Sequence, residues 1–159
     1  MIDFSLFYMV KYEKIQLKGV MMMEKTLRII LAGVMAGFIL FLAVSVVYKL
    51  TGNISDPSIS KLFRETISMQ WFYKILLLNV GTGLIMAITY SLLYNVLPGG
   101  GLFKGIFWGF IMWVIMVHQP MIMHLVAGKF TADLLLTWVL QGLTSYVAAG
   151  ISIGLIYKQ

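Results

Sequence analysis

The chain has 159 residues, 60% hydrophobic and 11% charged, with a net charge of +6 and a mean hydropathy of +0.93. A water-soluble domain carries roughly a quarter charged residues, so the composition excludes an ordinary soluble surface. The fold class it implies is all-α: an integral membrane protein built as a four-helix transmembrane bundle. The absence of Cys excludes disulfides, thiolate nucleophiles and cysteine-ligated metals.

Residues 1–28 form an N-terminal tail ahead of a transmembrane domain at 29–159. Residues 1–22 hold no apolar run long enough for a signal-peptide core. Met21, Met22 and Met23, followed by Glu24 and Lys25, read as a natural beginning. Lys18-Gly19-Val20 could be encoded by a purine-rich stretch resembling a bacterial ribosome-binding site. Translation is therefore expected to start at one of these three methionines; the alternative is a cytoplasmic tail.

Four segments then contain no Asp, Glu, Lys or Arg: 29–48, 75–97, 105–128 and 134–157. A helix rises about 1.5 Å per residue and the hydrocarbon core is about 30 Å thick, so each can cross once. With no water to satisfy backbone groups, each crossing is helical. The first loop contains Asp56-Pro57, which reads as a helix start. Ile59, Leu62, Phe63 and Ile67 recur at helical spacing against Ser60, Lys61, Arg64 and Glu65. This pattern predicts a short interfacial helix near 57–69, with a solvated loop as the alternative. Asn53-Ile54-Ser55 is a formal glycosylation sequon without other secretory marks.

Pro98 and Gly99 to Gly101 end the second helix. The loop is so short that helices two and three are expected to be antiparallel neighbours. The third loop is equally short, with Thr131 as an N-cap and Asp133 at the positive end of the fourth helix.

Basic residues gather at span ends, which reads as membrane-flanking charge rather than a nucleic-acid surface. Lys11, Lys14, Lys18, Lys25, Arg28, Lys104 and Lys158 lie on the terminal face. Lys49, Lys61, Arg64, Lys74 and Lys129 lie on the other. Seven against five places both termini in the cytoplasm; a start at Met23 removes three of the seven and leaves orientation undetermined. Tyr48, Trp71 and Tyr73 on one side, with Tyr94, Phe103 and Tyr157 on the other, fit interfacial aromatic belts.

Membrane helices associate through close packing and polar contacts. Gly33 and Gly37, with Ala32 and Ala36, form one small-residue row. Gly83, Ala87 and Ser91 form a second, Gly101, Gly105 and Gly109 a third, and Gly150 and Gly154 a fourth. They serve packing within the bundle or contact with another copy.

A polar cluster occupies the half nearer loops one and three: Asn79, Thr82, His118, Gln119, His124, Gln141 and Thr144. From that face Asn79 and His124 lie about one turn deep, Thr82 and Gln141 about 10 Å, and His118 and Thr144 about 15 Å. Pro120 cannot donate to the Met116 carbonyl, which leaves an acceptor free. These groups either form interhelical hydrogen bonds or line a polar path or ligand pocket.

Specific chemistries fit poorly. His118 and His124 sit about 240° apart around a regular helix, and no carboxylate lies near them to complete a metal site. A Ser-His-Asp arrangement lacks a buried acid, and no phosphate-binding loop follows a strand. Met112, Met116, Met121 and Met123 are packing material. No metal, cofactor or catalytic residue is expected.

From 90 to 120 the chain resembles the YagU-like bacterial inner-membrane proteins, through Tyr90, Val96, Pro98, Leu102, Gly105, Gly109 and His118. The histidine spacing is shifted by one residue from that pattern. From Lys25 onward the chain looks like small four-span bacterial and archaeal membrane proteins, which end in a glycine-bearing helix followed by Tyr and Lys, as Gly154, Tyr157 and Lys158 do here. The resemblance implies a multi-pass inner-membrane protein without an established reaction, and no active site is carried over.

The expected role is a non-enzymatic membrane subunit or assembly partner in the inner (cytoplasmic) membrane. Its partners are the lipid bilayer and either another copy or a membrane complex, with no nucleic acid. The alternative is a small oligomeric transporter or channel using the polar path through helices two to four.

Overall fold

A computed structural model of the chain describes residues 4–50, 69–127 and 132–157. The order is α1 (Phe4–Leu50), α2 (Met69–Leu93), α3 (Gly101–Ala127) and α4 (Ala132–Ile156), and no strand occurs among the described residues. Four stretches are long and apolar enough to cross a membrane: Gln16–Ala43, Phe72–Leu93, Gly101–Met123 and Leu135–Ile156. The outer surface is apolar too. Leu77, Leu92 and Val126 are each at least 73% exposed, the pattern of helices that are hydrophobic all round. A soluble monomer rarely exposes large contiguous apolar patches.

Helix ends differ from the charge-free segments for local reasons. Residues 4–28, ahead of the first charge-free segment, form the first part of α1, which runs unbroken for 47 residues. At 1.5 Å per residue it is about 70 Å long, more than twice the hydrocarbon thickness. Charge ends an apolar run, but it does not end a helix. Between 16 and 28 the chain is rich in Lys, Met, Leu and Glu, all good helix formers, and Glu24 pairs with Arg28 one turn on.

Helix α2 stops at Leu93, four residues before the end of its charge-free segment. The Val96 and Leu97 amides both donate to the Leu93 carbonyl, at 2.9 and 3.1 Å. Pro98 forbids a helical residue before it, and Gly99 takes a φ of 87°, where a side chain would be strained. The Lys104 ammonium donates to the Tyr94 carbonyl at 2.6 Å and sits 3.9 Å from the centre of the Tyr94 ring. It thus satisfies a carbonyl that the helix end leaves open. The expected interfacial helix near 57–69 lies outside the described residues, except Met69, which opens α2. The expected Thr131 cap also lies outside them.

Close packing joins α1 to α2, α3 to α4, and α1 to α4. Helices α2 and α3, expected to be neighbours because of their short loop, are not a closely packed pair. The Trp108 indole stands between them, buried, and donates to the Met86 carbonyl at 3.1 Å. An indole ring holds two axes apart, whereas α1 meets α2 and α3 meets α4 through glycine.

A Cβ built on Gly33 falls 2.7 Å from the Leu84 Cα, and one on Gly37 falls 2.8 Å from the Asn79 carbonyl. One on Gly105 meets the Gly150 carbonyl, and one on Gly154 falls 3.0 Å from the Gly105 Cα. Ala32 and Ala36 of α1, Ala87 of α2 and Ala149 of α4 are fully or almost fully buried in the same core.

That core is one-sided. Its members run from Ala32 to Leu40, from Met86 to Tyr90, from Trp108 to Met112 and from Ala149 to Tyr157. Apart from Leu40, which neighbours the Phe41–Phe72 ring pair at the opposite end, they lie in the middle of the bundle or in the half that contains the α2–α3 loop. In the other half α3 carries mostly exposed or half-buried residues from Trp113 onward.

The closed end holds three tyrosines. Tyr90, Tyr94 and Tyr157 pack edge to face, with centroids 5.6 to 5.9 Å apart. The Tyr90 hydroxyl is buried and has no hydrogen-bond partner among the described residues. An unpaired buried hydroxyl costs about 1–3 kcal/mol. Tyr90→Phe is therefore expected to leave stability unchanged or raise it by about 1 kcal/mol, read as a higher melting temperature in mild detergent. A loss of similar size would contradict the orphaned state of this hydroxyl.

Candidate functional site

The polar residues of the open half are held mainly by their own helices. Asn79 Nδ2 donates to the Ile75 carbonyl at 2.9 Å. Thr82 Oγ1 donates to the Leu78 carbonyl at 3.0 Å. Thr144 Oγ1 reaches the carbonyls of Leu140 and Gln141, at 3.1 and 3.0 Å, and Ser145 donates to the Gln141 carbonyl at 2.7 Å. Each is a bond to the preceding turn, which lets a short polar side chain enter an apolar setting without a partner helix. Gln141 is half-buried on α4. The side chains of Gln119 and His124 lie outside the described set.

The structure groups Asn79 with Thr82 on α2, and Gln141 with Thr144 on α4. It does not pack α2 against α3, so the helix carrying Asn79 and the helix carrying His118 do not share a close interface. Among the described residues no three His, Asp or Glu side chains converge as metal ligands.

His118 has a different setting. It is exposed and lines a pocket of about 360 Å³ between α3 and α4. Trp113, Val117 and Met121 of α3, with Leu135 and Val139 of α4, form most of the remaining wall. The Trp113 indole N–H donates to the Val139 carbonyl at 3.1 Å and ties the two helices together. Gly142 makes room for this: a Cβ there would come 2.9 Å from the Val117 side chain and 3.3 Å from the Trp113 ring. Beyond this tie the pocket opens. Pro120 lies about two turns beyond Trp113 along α3 and withholds a donor from the Met116 carbonyl.

Hydropathy did not single out Trp108, Trp113 or Tyr90, because aromatic residues in an apolar run carry no pattern of their own. A signal for the tyrosines was present: Tyr90 and Tyr94 are one turn apart and share a helix face. Comparison of the chain with protein-family models, with curated proteins and with solved structures gives no match.

Proposed function

We propose that this chain is a multi-pass integral membrane protein of the inner (cytoplasmic) membrane, with both termini in the cytoplasm, acting as a non-enzymatic subunit or assembly partner. The observation that carries this reading is the local satisfaction of the polar side chains. Thr82 and Thr144 each give their hydroxyl proton to a carbonyl of their own helix and need no hydrated lumen to do so, and Asn79 places one of its two amide donors in the same way. The small-residue faces are also consumed internally, Gly83 against Gly33 and Gly37, and Gly150 against Gly105 and Gly109. What remains outside is an aliphatic surface suited to lipid and to other apolar helices. The excess of basic residues on the terminal face supports the orientation.

The alternative is a small oligomeric transporter or channel, and the exposed imidazole of His118 is the feature that favours it. Two measurements separate the readings. Tagged protein extracted from native membranes in mild detergent is expected to bring down a defined membrane partner. The combined variant Asn79→Leu, His118→Leu, Gln141→Leu is expected to retain that partner. In liposomes, solute flux that depends on these three residues would establish transport and contradict the subunit reading.

A further inference from the structure

The first part of α1 stands clear of the bundle. Every residue from Gln16 to Arg28 is exposed, and the first described residue of α1 that is buried is Ala32. The apolar stretch Gln16–Ala43 has 28 residues, about 42 Å of helix, which exceeds the hydrocarbon core of about 30 Å. Lys25 and Arg28 set the excess on the terminal side, because charged side chains are costly in hydrocarbon. Arg28 therefore marks the membrane boundary, and Lys18 lies about 15 Å beyond it.

Register fixes where the charges fall. Lys18, Lys25 and Ala32 recur every seven residues, a step that returns to nearly the same face and drifts by about 20°. Arg28, one turn before Ala32, shares that face. Lys11 and Lys14 continue the row at the same spacing. Ala32 is buried in the core that α1 forms with the other helices. The basic row thus runs straight out from the bundle contact and passes beneath the closed end, where Lys104 also stands.

The centre of the row is apolar. Met21 and Met22 lie one turn after Lys18 and one turn before Lys25, so they fill the same face. They are 69% and 67% exposed. Thioether side chains are adaptable contacts and recur at binding surfaces. Met22 lies about 9 Å outside Arg28, where no acyl chain reaches it. The face therefore matches a partner that brings carboxylates and apolar side chains together. A lipid headgroup is too short, because the headgroup layer is roughly 5–7 Å deep and ends before Lys18. Nucleic-acid phosphates would meet the lysines and leave both methionines unmatched. A second copy would bring the same positive row and be repelled.

We propose that this face docks an acidic amphipathic helix of a partner protein, with carboxylates on Lys18 and Lys25 and apolar residues on Met21 and Met22. The inference deepens the assembly-partner reading above and rests on the same bilayer placement. It also requires that the residues before Met21 are translated.

The test uses full-length protein in nanodiscs of neutral phospholipid, titrated with a fluorescein-labelled amphipathic peptide helix of leucine and glutamate. Empty nanodiscs give the lipid background. The expected result is a saturable rise in anisotropy above that background, weakened by added salt. A charge-preserving variant separates the face from the net charge. Lys18→Gln with Gln16→Lys, and Lys25→Gln with Met23→Lys, each move a charge about 200° around the helix. Together they are expected to weaken binding about fivefold or more, the loss of two exposed ion pairs; unchanged binding overturns the proposal. Met21→Ser with Met22→Ser is expected to weaken it by about fivefold, and an unchanged affinity here overturns the apolar centre. Glycerol phosphate stands for the lipid headgroup and a single-stranded oligonucleotide for nucleic acid. Failure of both to displace the peptide supports the assignment, and displacement by either at equal charge concentration overturns it. Circular dichroism of each variant in the same nanodiscs confirms that the helices are retained. Entry into nanodiscs without saturable binding overturns this face and leaves the bilayer placement standing; exclusion from them overturns both. A partner brought down from native membranes as fully by the charge-moved variant as by the native chain overturns the face and keeps the subunit role.

Discussion

Gly83→Val is expected to separate α1 from α2 and to lower stability by about 3 kcal/mol or more, the upper end of the range for overpacking. A Cβ at this position meets the Gly33 carbonyl oxygen and the Gly37 nitrogen, and lies 2.8 Å from the Gly37 Cα. All three atoms are backbone. No rotamer change can relieve them, so the two helix axes must move apart. That movement also loosens Ala32, Ala36 and Ala87, which are buried in the same core. In detergent the melting temperature should fall by about 10 °C, taking 2–4 °C per kcal/mol for a chain of this size. Gly81→Ala is the matched control. A Cβ there meets nothing within 4 Å, and alanine favours helix over glycine by about 1 kcal/mol. It should melt at or above the native temperature. Equal behaviour of the two variants would contradict the α1–α2 packing.

Gly150→Val should do comparable damage at the second close interface. Its Cβ meets the Gly105 carbonyl and lies 2.8 Å from both the nitrogen and the Cα of Gly109. The contact is reciprocal, because a Cβ on Gly105 meets the Gly150 carbonyl. Helices α3 and α4 would be driven apart at the centre of their glycine seam, with a loss again of about 3 kcal/mol. The spectroscopic result should be specific. Each helix satisfies its own backbone in an apolar medium, so helical circular dichroism should persist. The aromatic dichroism should weaken, because Tyr157 of the closed end and the buried Trp108 both depend on the seating of α3 and α4. An unchanged aromatic signal would count against the seam.

The four helices were legible because the bilayer requirement is written directly in hydropathy. Their ends were less so. Leu97 belongs to a charge-free run, yet it lies beyond the helix and is buried in the core; an apolar residue tucked under a turn cannot be told from one inside a helix. Residues 16–28 posed the converse problem. Their charges closed the apolar segment, while their helix propensity carried α1 through.

Lateral arrangement was the least legible feature. The short loop between α2 and α3 implied a packed pair, but the bulk of Trp108 keeps them apart. Glycine stripes can be listed from sequence, although which stripe faces which is set only by assembly. The direction of His118 could not be read from sequence, because a helix that is apolar on every side has no face to orient it.

The central claim is four crossings with both termini on one side. The chain contains no Cys, so single cysteines report without background. Gly100→Cys, Lys18→Cys, Gly52→Cys and Gly128→Cys, introduced one at a time, can be treated with a membrane-impermeant maleimide in sealed right-side-out vesicles. The predicted result is labelling of residues 52 and 128 from outside, with residues 18 and 100 reacting only after the membrane is opened. The mirror pattern would keep the four crossings and reverse the orientation. Labelling of 100 and 128 from the same side would contradict a membrane-crossing α3, and with it the account of this bundle.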